Sequence, residues 1–203
     1  HKIIASRFGN SFGEYKFTLH YTNYNTVSVF IIDLTKEYNV VSNHKNMNEC
    51  PSIPIQFHFL RYNTNLYNGI PCSGHVDISG DTLIPLNNIT LYLLTDPKPQ
   101  GSLFFVGFGS QITNPSTSIV HNLYKQGNIT HLSFAFFVSE HKSYSDGTLY
   151  FGGVPSAAIL NKQKGSCKVN NVHSTWSCQL NNIIIGNITQ PTFMIHNSNY
   201  SYF

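Results

Sequence analysis

Short stretches of alternating or continuous apolar residues recur along the chain, separated by polar, turn-forming segments. Residues 14–22 alternate polar and apolar, the pattern of a strand with one buried face. Residues 27–32 form a nearly continuous β-branched and aromatic run, which predicts a strand buried on both faces. That run ends in Asp33, and apolar residues resume at Val40-Val41. An acid at the end of a buried strand is costly unless it is paired or used. Residues 43–51 read as a loop, and residues 53–60 alternate again. Tyr67-Asn68-Gly69 is a hairpin-turn signal, because Asn-Gly accepts the positive φ angles that tight turns need.

Residues 82–95 hold two further strand candidates around Asn87-Asn88, and residues 96–101 read as an exposed turn. Residues 103–108 and 132–138 read as short buried strands. Asp146-Gly147 turns the chain into a strand over 148–151, which Gly152-Gly153 ends. One segment has helical spacing: Ile119, Val120, Leu123 and Tyr124 share a face within residues 117–127. Ser116 or Thr117 can cap its start and Gly127 its end. Many short strands at regular spacing with one short helix predict an all-β barrel or sandwich.

Composition narrows this picture. The chain has 203 residues, enough for a sizeable core. Only 10% are charged, so the polar surface falls to Asn, Ser, Thr and Tyr. The 23 Asn give a bias typical of A/T-rich genomes, as in some protozoan parasites. A net charge of +3 without a basic run argues against a nucleic-acid partner. No apolar run is long enough for a transmembrane helix. No signal peptide is visible, and the non-initiator His1 fits a processed or trimmed start.

Four cysteines without a Cys-x-x-Cys pair favour disulfides. Cys167 and Cys178 flank a turn-like stretch and suit a hairpin, which leaves Cys50 to pair with Cys72. This is the preferred one of three possible connectivities. Sequons stand at Asn88, Asn128, Asn187 and Asn199, candidates for glycosylation. Together these features place the chain in the secretory pathway, extracellular or in a secretory organelle. The ten His show no metal-ligand spacing, and His44 with Cys50 is the nearest soft pair, so no metal is expected. Gly107 to Gly109 lacks the following Lys-Ser/Thr of a phosphate loop, and no cofactor is expected.

In order, these elements resemble the N-terminal lobe of a pepsin-like aspartic protease. Residues 29–42 resemble that family's first catalytic strand and loop, apolar-apolar-Asp-Thr-Gly-Ser-Ser. Tyr67, with Gly74 seven residues on, is similar to the flap hairpin whose Tyr closes over substrate. Asp81-Thr82 resembles the start of the strand after the flap. Residues 105–109 resemble the segment that packs behind the catalytic loop. The blocks 122–139 and 149–153 resemble the family's helix, its following strand and its Leu-Phe-Gly-Gly signature. Trp176 and residues 180–187 resemble the interlobe strands.

The resemblance implies a pepsin-like β-barrel lobe with one or two short helices over residues 1–185. It implies an interlobe strand and the start of a missing or truncated second lobe over 186–203. Residues 195–201 then fall at the second Asp-Thr-Gly, with Asn197 in place of its aspartate and Asn199 in place of its glycine. Asn39 falls where the family carries a flap-supporting Trp. The family's reaction needs two carboxylates sharing one proton and activating one water. Here Asp33 keeps its place, Leu34 replaces the Thr that bonds across to the other loop, and Thr35 replaces the Gly of the tight turn. Asn197 could not share the proton. The expectation is a pseudoprotease with no catalytic residues. It would serve as a protein-binding or structural subunit, partnered in a hetero-complex or by the missing second lobe. A divergent active endopeptidase using Asp33, and an inhibitor or glycan-binding protein on the same fold, are the alternatives. Under each reading a partner or the remaining chain covers residues 183–185 and 193–195.

Overall fold

A computed structural model of the chain describes residues 2–11, 14–21, 26–34, 36–41, 50, 55–58, 66–80, 82–94, 104–110, 112–138, 147–156, 167–169, 176–185 and 188–197. The lobe is all-β. Its strands are β1 (Ile4–Ser11), β2 (Glu14–Tyr21), β3 (Thr26–Asp33), β4 (Val40–Val41), β5 (Ile55–His58), β6 (Leu66–Ser79), β7 (Leu83–Leu94), β8 (Phe104–Gly107), β9 (Phe134–Val138) and β10 (Gly147–Phe151). They form one sheet in the order β5-β6-β7-β4-β8-β3-β2-β1-β10-β9, and a further pairing of β6 with β2 curls it back on itself. A second, two-stranded sheet pairs β11 (Trp176–Ile185) with β12 (Ile188–Asn197).

Period-two alternation builds the core. On β2, Phe17 and Leu19 are fully inside while Lys16, Thr18 and His20 are half-buried. On β6, Cys72, Val76 and Ile78 point inward. Phe30, Ile32, Leu86, Ile89, Leu91, Val106, Leu149 and Phe151 complete one contiguous apolar cluster. Each such side chain contributes about 1.5–3 kcal/mol on burial.

The one α-helix among the described residues, α1 (Ile119–Lys125), buries Ile119, Val120 and Leu123 against this core as its spacing predicts, whereas Tyr124, expected on the same face, is 49% exposed. Its cap is Ser118, whose hydroxyl accepts from His121 N at 3.3 Å, and not Ser116 or Thr117. Those two residues belong to a preceding 3-10 turn, Pro115–Thr117, whose geometry Asn114 fixes by accepting from Ser116 N. Gly127, at φ 72°, ends the helix.

Several expectations need correction. Tyr67-Asn68-Gly69 forms no turn, because all three residues pair with β5. Gly69 pairs with Ile55 on β5 and with Leu94 on β7, so the strand runs straight through. Residues 83–94 are one strand, not two, and the Asn pair marks a bulge. Gly74 faces Ile89 and His75 faces Asn87, leaving Asn88 unpaired at φ 60°. β3 is not buried on both faces, since Val29 is 50% exposed beside a fully buried Phe30. Phe134 to Phe137 are half-buried, not a buried strand. β1 had no predicted counterpart; it pairs with β10 and β2 through a sequence broken by Ser6, Arg7 and Gly9. The loop at 43–49 and the turn at 96–101 lie outside the described residues.

The structure joins Cys50 to Cys72 and Cys167 to Cys178, with Cα atoms 5.4 and 5.9 Å apart. The first links the segment after β4 to the middle of β6. The second ties residue 167 to β11, next to an isolated bridge between Val169 and Cys178.

Candidate functional site

β8 is the seat of the site. β3 lies along one edge of it in parallel, with Ile31, Ile32 and Asp33 facing Phe105, Val106 and Gly107. The chain leaves β3 at Asp33, crosses over the end of β8, and returns along its other edge as β4, where Val40 and Val41 face Phe105 and Phe104. The apolar run, the break and the second apolar run are thus two strands clasping a third.

Close backbone contact holds the crossing segment down. Phe108 N donates to Asp33 O at 2.7 Å, and Gly109 N donates to Lys36 O at 2.7 Å. A Cβ on Gly107 would stand 2.5 Å from the Glu37 carbonyl carbon and 2.6 Å from Tyr38 N, so only glycine fits.

Two buried polar side chains organise the return. Asn39 donates through Nδ2 to Thr117 O and to Thr90 O (3.2 Å), and its Oδ1 accepts from Gly107 N at 3.2 Å. One amide therefore binds β7, β8 and the 3-10 turn, and its polar atoms are satisfied inside the protein. Asn39 thus bonds these segments together. The Glu37 carboxylate accepts from Thr113 N at 2.5 Å, from the Thr113 hydroxyl and from Asn114 N at 3.4 Å. It fixes the approach to α1. Between them Tyr38 packs edge-on to Tyr92, with ring centroids 4.9 Å apart. Burial pushes the Tyr92 hydroxyl up to about 12, with Tyr38 and Glu37 adding to the effect. Burial, then Glu37, raises Tyr38 as well.

Asp33 ends β3 with its side chain buried. The next residue, Leu34, packs against the core cluster and turns outward into a cavity of about 390 Å³. Leu132, Phe134, Phe136 and Trp176 line that cavity, and Ser133 is its polar member. A smaller cavity of about 100 Å³ shares Leu132, Phe134 and Trp176 and extends to His121 and Ser118 at the start of α1. Trp176 secures this wall: its Nε1 donates to Phe108 O at 2.6 Å, and its ring meets Phe134 edge-on at 5.5 Å.

That bond also places Asn197. It is paired with Trp176 across β11 and β12, and Phe108 is bonded to both Trp176 and Asp33. The register therefore brings the backbone of Asn197 to the end of the hairpin that docks beside the Asp33 turn; its side chain is outside the described residues. Tyr67 sits within β6, paired with Phe57, and its side chain is likewise outside them. So are Thr35, Asn187 and Asn199. Among the described residues no group of three His, Cys, Asp or Glu is arranged to hold a metal ion. Among the described residues no helix is long and apolar enough to cross a membrane.

Glu37 and Asn39 as bonding centres, and Trp176 as an anchor, had no signal in the periodicity. The first two lie in a largely polar stretch, Thr35 to Asn39, between the two apolar runs, where nothing distinguishes a bonded side chain from a solvated one.

No curated protein matches the chain. An aspartic proteinase from Irpex lacteus superposes with a TM-score of 0.64 at 15% identity, over 87% of this chain and 56% of that one. Basic 7S globulin from soybean superposes with a TM-score of 0.68 at 12% identity, over 96% of this chain and 63% of that one. The chain thus spans less than two thirds of either structure, and at these identities the likeness is one of fold. The family model for eukaryotic aspartyl proteases matches residues 57–200, well over half of the sequence, and the chain belongs to that family.

Proposed function

We propose that this chain is a pepsin-like lobe without peptidase activity that acts in the secretory pathway as a protein-binding or structural subunit. The observation that carries the reading is Leu34. It follows Asp33 directly and spends its side chain on the wall of an apolar cavity. The family's proton-sharing pair depends on hydrogen bonds between two such turns, and a leucine offers none. Asn197, brought to the same end of the molecule by the β11–β12 register, supplies an amide and no second carboxylate. The cavity suits an apolar side chain of a partner, or of further chain, better than a reacting water. Family membership and two disulfides are compatible with a secreted protein. One relative of the same fold carries the name of a globulin rather than of a proteinase.

A second reading keeps the enzyme: Asp33 is buried at the end of the strand that bears the family's first aspartate. One experiment separates the two. The purified chain is incubated with an unfolded protein substrate at about pH 3 to 6, bracketing the carboxylate range, with and without a statine-type transition-state analogue. No cleavage and no analogue binding are expected. Cleavage that disappears in Asp33→Ala would overturn the proposal. A third reading, an inhibitor or glycan-binding protein, predicts retention of a protease or an oligosaccharide on the immobilised chain.

A further inference from the structure

We infer that Asn88 and Asn128 carry N-linked glycans, and that these cluster at the C-terminal end of α1. Asn88-Ile89-Thr90 and Asn128-Ile129-Thr130 are both acceptor sequons. The fold separates their parts in the way a glycan requires. At the first, Ile89 is fully buried in the core while Asn88 is exposed. The bulge produces this: Asn88 is the extra residue of β7, at φ 60°, so its side chain leaves the sheet instead of joining the ladder. Its Oδ1 accepts from Ser73 Oγ at 3.5 Å, and its Nδ2 donates to nothing among the described residues. At the second, Ile129 is 2% exposed, while Asn128 is half-buried just past the helix end and Thr130 is exposed.

The two sites flank one structural feature. The side-chain amide of Gln126, at the C-cap of α1, lies against the backbone at Pro85 and Asn87. Asn88 is the residue after that contact on β7, and Asn128 stands two residues beyond Gln126. The smaller cavity beside Trp176 is instead lined by Ser118, Val120 and His121 from the helix start. Sugar at both sequons would shield the C-terminal end of α1 and the β7 bulge beside it.

The bond formed joins Asn Nδ2 to the anomeric carbon of N-acetylglucosamine. The bond broken joins that carbon to the pyrophosphate of a lipid-linked oligosaccharide; the amide nitrogen loses one proton and the lipid pyrophosphate leaves with the electron pair. In the folded chain the Thr90 hydroxyl is held 2.6 Å from Ser116 Oγ, part-buried. Transfer at Asn88 therefore precedes docking of the 3-10 turn onto β7, and the folded chain is a poor acceptor there.

The test is cell-free translation of the full chain, behind a cleavable leader, into sealed microsomes, followed by amidase release in heavy-oxygen water and peptide mass spectrometry. Label is expected at Asn88 and Asn128. Asn88→Gln and Asn128→Gln each remove one glycan from the gel shift, Thr90→Ala removes that at Asn88, and Thr90→Ser retains it. Because the readout is transfer to the nascent chain, a variant that misfolds still reports. Unlabelled Asn88 and Asn128 on translocated chain would overturn the inference. So would efficient modification of Asn88 when already folded chain is offered to the transferase. The outcome does not depend on whether Asp33 is catalytic.

Discussion

At the scale of single residues, the turn after Asp33 is held by polar groups that an apolar pattern does not announce. Glu37 presents a carboxylate to two backbone N–H groups and one hydroxyl on residues 113 and 114. Bonds to a charged acceptor are worth about 1.5–3 kcal/mol when removal strands their donors. Thr113 and Asn114 are exposed, so water replaces part of what is lost. Glu37→Ala should therefore cost about 1–3 kcal/mol in chemical denaturation, and Glu37→Gln, which keeps an acceptor, less. Tyr92 gives a pH dependence of definite sign. Its hydroxyl ionises at about 12 in the folded chain against an ordinary 10.0, because burial disfavours the phenolate. The folded state thus holds this proton more tightly. The associated stability is full below pH 10.0 and is lost as pH rises through about 12. Melting temperature should fall across that window, and Tyr92→Phe should flatten the fall. An unchanged slope would show that Tyr92 is not the group responsible.

At the scale of elements, the sequence was most legible where one face of a strand meets the core. The alternation on β2 and the helical spacing of Ile119, Val120 and Leu123 both predicted their elements, since burial alone decides them. It was least legible where pairing decides. Tyr67-Asn68-Gly69 has the composition of a turn, yet all three residues pair with β5 and Gly69 with β7 as well, and a ladder of hydrogen bonds overrides a local preference. β1 was missed because its own pattern is weak and its place depends on β10, more than a hundred residues away. At the site, position was readable and bonding was not. Asp33 and the apolar runs around it marked the crossing, but that β8 lies between those runs is a fact of three-dimensional pairing. The crossing makes its own prediction. An added methyl at Gly107 meets rigid backbone, so Gly107→Ala should destabilise by about 3 kcal/mol or more, or prevent folding. Gly127→Ala meets nothing within 4 Å and carries only the left-handed backbone penalty, about 1–2 kcal/mol. Comparable losses at the two positions would mean that the loop over β8 yields more readily than its contacts imply.

At the scale of the whole molecule, the central relation is between Asp33 and the apolar wall beside it. The turn that would carry chemistry is bonded through Phe108 to Trp176, and Trp176 lines both cavities. It is also the only tryptophan in the sequence, so its emission reports this wall without labelling. If the lobe works by docking apolar groups here, the cavity should bind a small environment-sensitive dye in the native state, with a matching change in Trp176 emission. Leu34 is half-buried and lines the larger cavity, so Leu34→Arg sets a charge in its wall. That change should weaken dye binding about tenfold or more, equivalent to roughly 1.4 kcal/mol, with some loss of stability because Leu34 also packs against the core cluster. Asp33→Asn should leave binding as it was, because the carboxylate is not among the groups lining the cavity. The reverse result, with dye indifferent to Leu34→Arg and displaced by Asp33→Asn, would tie recognition to the acid and return the catalytic reading to first place.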